Sequence, residues 1–279
     1  MSAEAPLLLH SLWGYSGNLH GAMEQARRHG FHGLEANLLH PALSEHAPQV
    51  LADAGMPLIV ELVTGGDYVP ALTVSAQQHL LELEQLLERA QALHPLRISV
   101  ITGSDAWPLA QQQQFLQQAV ALAEKSAAPV SFETHRSRSL FNPWAVAELL
   151  KAVPDLRLTA DLSHWCCVSE RLMEPQLAPI QAMADRVDHI HARIGHAQGP
   201  SVGHPFAPEA SEALNAHRRC WQLFLERQRQ RGHHPSTVTP EFGPDGYLPQ
   251  LPFTAMPVAD LLQINSAMAA WIREGALTG

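Results

Sequence analysis

Long apolar runs are missing from this chain. No segment approaches the roughly 20 consecutive apolar residues that a membrane-spanning helix needs, so a membrane protein is not expected. Cysteine is scarce too: of the three, Cys166 and Cys167 are adjacent, which builds neither a disulfide framework nor the CxxC pairs of a zinc site. All three are expected as reduced thiols. Basic residues are few, 18 Lys and Arg against 27 Asp and Glu, giving a net charge of −9 and a pI near 6.0. That balance leaves no broad basic face for a phosphodiester backbone, so nucleic acid is not an expected partner. Met1 to Pro6 lack the basic start and apolar run of a signal peptide, and a cytoplasmic location is the expectation. The GxGxxG fingerprint of a dinucleotide-binding turn is also absent, since the first turn reads Trp13-Gly14-Tyr15-Ser16-Gly17.

What the chain does have is 279 residues with 46% hydrophobic content, enough for a substantial core, and no linker to divide them. One domain over residues 1–279 is expected. Histidine is abundant, 17 in all; His46, His79, His217, His233 and His234 stand in polar surroundings and read as surface residues.

Short β-like runs alternate with longer amphipathic stretches eight times, the signature of parallel βα units. The expected strands are Leu7 to Leu12, Gly33 to Ala36, Pro57 to Val63, Leu96 to Ile101, Val130 to Glu133, Leu156 to Ala160, Val187 to His191 and Thr237 to Glu241. Between them fall helical stretches near Leu19 to His29, Ser44 to Ala54, Val74 to Leu93, Leu109 to Ser126, Pro143 to Val153, Gln176 to Ala184, Ser211 to Gln230 and Val258 to Glu274. Their apolar residues recur at three and four, as in Leu80, Leu83 and Leu87. Eight such units in this length predict an α/β fold, a single (β/α)8 TIM barrel. Two connections are long, His196 to Pro208 and Phe242 to Met256, and loops of that length commonly act as lids. Trp165, Phe206, Tyr247 and Phe253 offer apolar surface there to cover a substrate.

In such a barrel the C-terminal strand ends face the active site. Four successive strands end in metal-ligand types: Glu133, Asp161, His191 and Glu241. Neighbouring strands lie about 4.8 Å apart, so these four side chains can converge on one ion. A lone carboxylate at a strand end often caps a helix, and a lone strand histidine is usually a core group. Three acids at successive equivalent positions would instead repel and raise one another's pKa, a conflict that a cation removes. His189, two before His191, shares its face one layer deeper, and His164 stands three after Asp161. One nitrogen and three carboxylates form a hard donor set with room for substrate oxygens. One divalent ion is expected, Mn2+ first, with Mg2+, Co2+ or Zn2+ as alternates.

Five segments carry a family resemblance: Gly33-Leu34-Glu35, Glu133-Thr134-His135-Arg136, Asp161-Leu162-Ser163-His164-Trp165, Ile190-His191, and Thr239-Pro240-Glu241-Phe242-Gly243-Pro244. Together, across essentially the whole chain, they resemble the xylose isomerase-like TIM barrel superfamily. That group holds the sugar epimerases related to tagatose 3-epimerase, the inosose dehydratases and endonuclease IV. The resemblance implies a metal-dependent isomerase or epimerase of a sugar or polyol that works through an enediolate. It makes Glu133 and Glu241 both ligands and the proton-transfer pair, Asp161 and His191 pure ligands, and His164 a substrate contact. The epimerase branch places an arginine six residues after its metal histidine, where this chain has Ala197; Arg193 is the nearest substitute.

His135 and Arg193, each two beyond a ligand, are expected higher in the mouth, on substrate oxygens. Arg136, Arg138 and Glu35 are secondary candidates that surface salt bridges would explain equally well, Glu61 is a charged residue in an apolar run, and Trp165 is placed against substrate. The small-molecule partner is a sugar or polyol, free or phosphorylated, with Gly199 to Gly203 one place for a phosphate; a homo-oligomer is left open. A dehydratase that expels water through the same enolate chemistry is the nearest alternative. A nuclease of the endonuclease IV kind would need a multinuclear zinc cluster and a basic surface, neither evident here. A non-catalytic sugar-binding barrel would need no proton-transfer glutamates.

Overall fold

The computed structural model describes residues 5–277. Eight parallel strands follow one another around a closed barrel, the first paired with the eighth. They are β1 (Leu7–Ser11), β2 (Gly33–Asn37), β3 (Leu58–Val63), β4 (Arg97–Ile101), β5 (Val130–Glu133), β6 (Leu158–Ala160), β7 (Val187–His191) and β8 (Thr237–Thr239). Nearly every strand residue is buried, because one face lines the interior and the other meets the helices. The expected single (β/α)8 barrel is the observed fold, with strand boundaries within a residue or two of expectation.

The helices among the described residues are α1 (Leu19–Arg28), α2 (Ala47–Asp53), α3 (Ala76–Gln91), α4 (Leu109–Ala123), α5 (Pro143–Ala152), α6 (Leu162–Ser169), α7 (Ala178–Ala184), α8 (Ser211–Gln230) and α9 (Leu261–Trp271). Local chemistry starts several of them. Ser75 and Gln78 close a reciprocal capping box on α3, whose Leu80, Leu83 and Leu87 are buried as their spacing predicts. Asn142 caps α5, with Pro143 at its first position.

Helix α6 is not anticipated by the sequence reading, which treats Ser163 to Trp165 as a loop. Leu162 to Cys166 are buried without a break, so no polar face supplies the amphipathic period that would reveal a helix. Two surface assignments also need correction. His79 is enclosed, with Nδ1 2.7 Å from Thr64 Oγ1, and His217 is buried inside α8, where its Nε2 accepts from Gly195 N at 3.3 Å. All three cysteines are free. No helix of the described residues is long and apolar enough to cross a membrane.

At the N-terminal end of the barrel, one carboxylate holds three guanidinium groups. Asp188 takes Arg157 Nη2 at 2.5 Å and Arg157 Nε at 3.0 Å, pairs with Arg231, and lies 3.6 Å from Arg97 Nη1. Burial would raise its pKa, but Arg157 and Arg97 outweigh that and hold it below the ordinary carboxylate value.

Two enclosed histidines tie stability to pH. His10 stacks on Phe31 at 5.1 Å with neither ring nitrogen hydrogen-bonded, and burial lowers its pKa to about 4; His79 is lowered to about 4 mainly by burial. Both folded values lie below the unfolded 6.5, so the unfolded chain takes up protons first. Their contribution is complete above pH 6.5 and is lost as pH falls toward 4. Urea midpoints measured between pH 8 and 4 should begin to drop near 6.5, with each histidine costing up to about 3 kcal/mol at the acid end. His10→Phe should flatten part of that slope.

Candidate metal centre

The strand ends that open the mouth place Glu133, Asp161, His191 and Glu241 together: one ligand atom from each lies within 4.8 Å of the others. Glu133 closes β5 and His191 closes β7, while Asp161 and Glu241 follow β6 and β8 by one and two residues. The positions are tied locally. Thr134 Oγ1 donates to Asp161 O and accepts from Asp161 N, both at 2.9 Å, linking the ends of β5 and β6. Asp161 also caps α6, its Oδ1 accepting from Ser163 N at 2.9 Å and from Ser163 Oγ at 2.6 Å. One carboxylate therefore caps a helix and joins the acid cluster.

The imidazole of His191 faces into the cluster. Its Nε2 is 3.0 Å from Glu35 Oε1, so Glu35 takes the Nε2 proton. In the neutral ring Nδ1 is then a lone pair, aimed at Glu241 Oε2 at 3.1 Å and Glu133 Oε2 at 3.5 Å. His191 Nδ1 and Glu133 Oε2 are buried and make no hydrogen bond. Lone pairs facing one another in a closed site repel unless a positive charge lies between them, and the donor set suits a divalent ion. Without an ion, a proton on Nδ1 takes that place. Burial disfavours a charged His191, yet Glu241, Glu35 and Glu133 raise its pKa well above the ordinary value. Burial, helped by Glu241 and Asp161, lifts Glu133 to about 7 despite His191.

Glu35 is corrected from a substrate contact to a support behind the site. Its carboxylate accepts from His191, from Thr239 Oγ1 and from His189, whose Nε2 is 3.1 Å away. Burial would raise its pKa, but the two histidines hold it well below the usual range. Its oxygens are committed to orienting His191, as a carboxylate behind a ligand histidine does. His189 occupies the deeper layer expected of it.

Arg193 lies closer to the cluster than the sequence suggests. Its Nη2 donates to Asp161 Oδ2 and, at 2.9 Å, to His164 Nε2; its Nε donates to Ser163 Oγ at 3.0 Å, and Nη1 is 3.9 Å from Glu241 Oε2. Gly195 permits this approach, since a Cβ there would lie 2.6 Å from Ser163 Cα. A guanidinium thus answers part of the acid repulsion, and it would compete for Asp161 with any ion held there. Isothermal titration with Mn2+ should show Arg193→Met binding about tenfold tighter, the size of one charge-assisted hydrogen bond, and Glu35→Gln about 10 to 100-fold weaker. Unchanged affinity in both variants would remove both roles.

Above the cluster opens a cavity of about 380 Å³ lined by Trp13, Glu61, Tyr68, Glu133, His135, Arg136, Arg193, Glu241 and Tyr247, among others. Asp161 and His191 are 0% exposed, whereas Glu133 and Glu241 reach the cavity. His135 donates Nδ1–H to Arg136 O at 2.5 Å, which leaves Nε2 as an acceptor, and its ring lies 4.0 Å from that of His164. Glu61 lines the wall, accepting from Tyr68 Oη at 2.7 Å and Asn37 Nδ2 at 3.1 Å; burial first, then Glu133 and Glu241, push it up to about 8.

Two expected contacts fall elsewhere. Trp165 is 0% exposed, its Nε1 donating to Leu140 O at 2.9 Å, so it packs α6 and does not cover substrate. Arg138 is buried and clamps the backbone carbonyls of Thr64, Asp67, Tyr68 and Gly103. Trp13 and Tyr68 are the aromatic lining that the sequence reading missed, while Tyr247 was anticipated on its loop. The ring of Trp13 packs edge-on against Tyr247 at 4.9 Å, and Gly243 leaves room for it, since a Cβ there would lie 2.0 Å from the indole. Glu61, singled out in the sequence as a charged residue in an apolar run, does line the cavity, and inspecting the ends of strands one and two as closely would have found Trp13 and Asn37.

No protein-family model matches the chain, and no curated protein matches it in sequence. Its likeness is to solved structures. L-ribulose 3-epimerase superposes with a TM-score of 0.68 at 15% identity, covering 99% of this chain and 95% of that one. The probable 3-DHS dehydratase AsbF of Bacillus anthracis gives 0.62 at 16% identity, over 96% and 98%. A xylose isomerase-like TIM barrel protein of Mycobacterium smegmatis, in complex with magnesium, gives 0.64 at 14% identity over the full length of both chains. Identities this low speak to architecture, and in architecture they agree with the closed eight-stranded barrel: this chain has the xylose isomerase-like TIM barrel fold.

Proposed function

We propose that this chain is a divalent-metal-dependent isomerase or epimerase of a sugar or sugar-like polyol. The observation that carries the reading is the pair of orphaned donors, His191 Nδ1 and Glu133 Oε2, which aim into a closed cluster with Asp161 and Glu241. Glu133, Asp161, His191 and Glu241 would hold the ion, Mn2+ in the first instance, with Mg2+, Co2+ or Zn2+ as alternates. When bound, it supplies Lewis acidity toward a carbonyl and its neighbouring hydroxyl.

The remaining work falls to side chains. Glu133 and Glu241 alone of the four reach the cavity, so they are the groups placed to take a proton from the substrate carbon and return one. His135 Nε2 accepts from a substrate hydroxyl, and Arg193, with His164 behind it, donates toward the oxygen on which negative charge develops. Trp13, Tyr68 and Tyr247 keep water from the reacting carbon.

A second reading, loss of water from a keto-polyol, is favoured by Glu61. A carboxyl group on the cavity wall with its pKa pushed up to about 8 can donate a proton to a leaving hydroxyl, a group that epimerisation does not need.

The deciding experiment treats the purified protein with a chelator and adds back Mn2+, then follows deuterium uptake from D2O into a panel of ketoses and keto-polyols by mass spectrometry. Uptake that vanishes on chelation and returns with the ion supports the proposal. Products lighter by one water select the lyase reading, and tight binding without any uptake would sink both.

A further inference from the structure

The cavity wall carries a cation that pairs with no acid among the described residues. Arg136 follows the Glu133-Thr134-His135 run, and its backbone carbonyl is taken by His135. Its side chain lies along the wall, the guanidinium carbon 4.7 Å from the centre of the Tyr247 ring. Among the described residues this guanidinium makes no ion pair and no hydrogen bond. The neighbouring acids are engaged elsewhere: Asp67 with Tyr68 N at 2.7 Å, Asp245 with Trp13 Nε1 at 2.9 Å, and Glu61 with Tyr68 and Asn37.

Tyr247 also holds Arg193, at 4.5 Å, but Arg193 commits Nε and Nη2 to Asp161, Ser163 and His164 and keeps only Nη1, itself 3.9 Å from Glu241, toward the cavity. The two arginines on one ring therefore differ. An aromatic face attracts a guanidinium by roughly 0.5 to 2 kcal/mol and fixes its direction without cancelling its charge. Half-buried Arg136 keeps all its donors, in the planar fork that matches two oxygens of a carboxylate or a phosphate. It does so on the wall of the same cavity that Glu133 and Glu241 reach.

We propose that Arg136 anchors an anionic group carried by the substrate, so that the polyol processed here is an acidic one, a sugar carboxylate or a sugar phosphate. The inference rests on the proposed function for where the substrate lies. An oxyanion on Arg136 would fix the polyol at one end and leave its carbonyl and α carbon toward the glutamates.

The test is binding at constant ionic strength, by calorimetry on the Mn2+-loaded protein, with two matched pairs: D-glucuronate against D-glucose, and D-fructose 6-phosphate against D-fructose. The charged member of one pair should bind at least about tenfold more tightly, and which pair shows it tells carboxylate from phosphate. Arg136→Met should erase that preference, while Arg136→Lys, which keeps a point charge without the fork, should retain part of it. No preference in either pair overturns the anchor, as does a preference that survives in Arg136→Met, because the ion or Arg193 would then be its source. Metal-dependent exchange on neutral ketoses alongside no charge preference would sink the anchor alone. A preference that Arg136→Met erases, in a protein that exchanges no deuterium, would uphold the anchor and remove the proton-transfer reading.

Discussion

Glu133→Gln and Glu241→Gln should each lower interconversion of substrate and product by about 10² to 10⁴-fold, the usual contribution of a positioned acid or base. Glutamine keeps the shape and one carbonyl oxygen, so it remains a weak ligand, but it cannot exchange a proton. Both glutamates reach the cavity while Asp161 and His191 are enclosed, as the proposed division between proton transfer and metal holding requires. If the two carboxylates work on opposite faces of one carbon, the variants should leave complementary residues of activity. Each would still wash deuterium into the substrate that presents its proton to the surviving glutamate, and neither would convert one form into the other. The measurement is deuterium uptake scored separately on substrate and product, beside the metal content of each variant. Conversion that persists in either variant with metal bound would refute the pair.

The second large effect concerns stability. Asp188→Asn should cost about 3 to 5 kcal/mol, because it removes the buried carboxylate that pairs with Arg97, Arg157 and Arg231 and leaves the buried Arg97 without its ion pair. Asparagine preserves volume and one acceptor, so the loss reports charge and not packing. The same argument gives a pH dependence. The folded pKa of Asp188 lies below its unfolded value, so its contribution is present above about pH 4 and disappears as pH falls through the folded value. Urea unfolding at pH 7 and at successively lower pH should show the gap between wild type and variant closing in acid. A cost below about 1 kcal/mol at pH 7 would mean that water, not Asp188, solvates the guanidinium groups.

The architecture was legible because short β-like segments alternate with longer, mostly amphipathic helical ones, so period and punctuation agreed along most of the chain from Leu7 to Thr239. The four clustered side chains were legible for another reason: a strand end has a known direction in a parallel barrel, so position along the chain translates into position at the mouth. Direction fails beyond the strand end. Trp165 reads as a loop aromatic but belongs to α6, a helix buried from Leu162 to Cys166 and hence without a polar face. Glu35 is on the right face of β2, yet nothing local reveals that His189, His191 and Thr239, over 150 residues away, use up its oxygens. Arg136 and Arg138 were indistinguishable in sequence; one clamps four carbonyls and the other lies on an aromatic ring.

Arg193 has a consequence for how the protein is made. A cluster of carboxylates that depended wholly on an imported ion would be a weak point during synthesis, since the barrel could not close its last strands until the ion arrived. With a guanidinium already bonded to Asp161 and near Glu241, the nascent chain carries its own counter-charge. On the proposed metal reading, closure of the barrel would then not wait for the ion, and the ion-free protein should reach its folded form before loading.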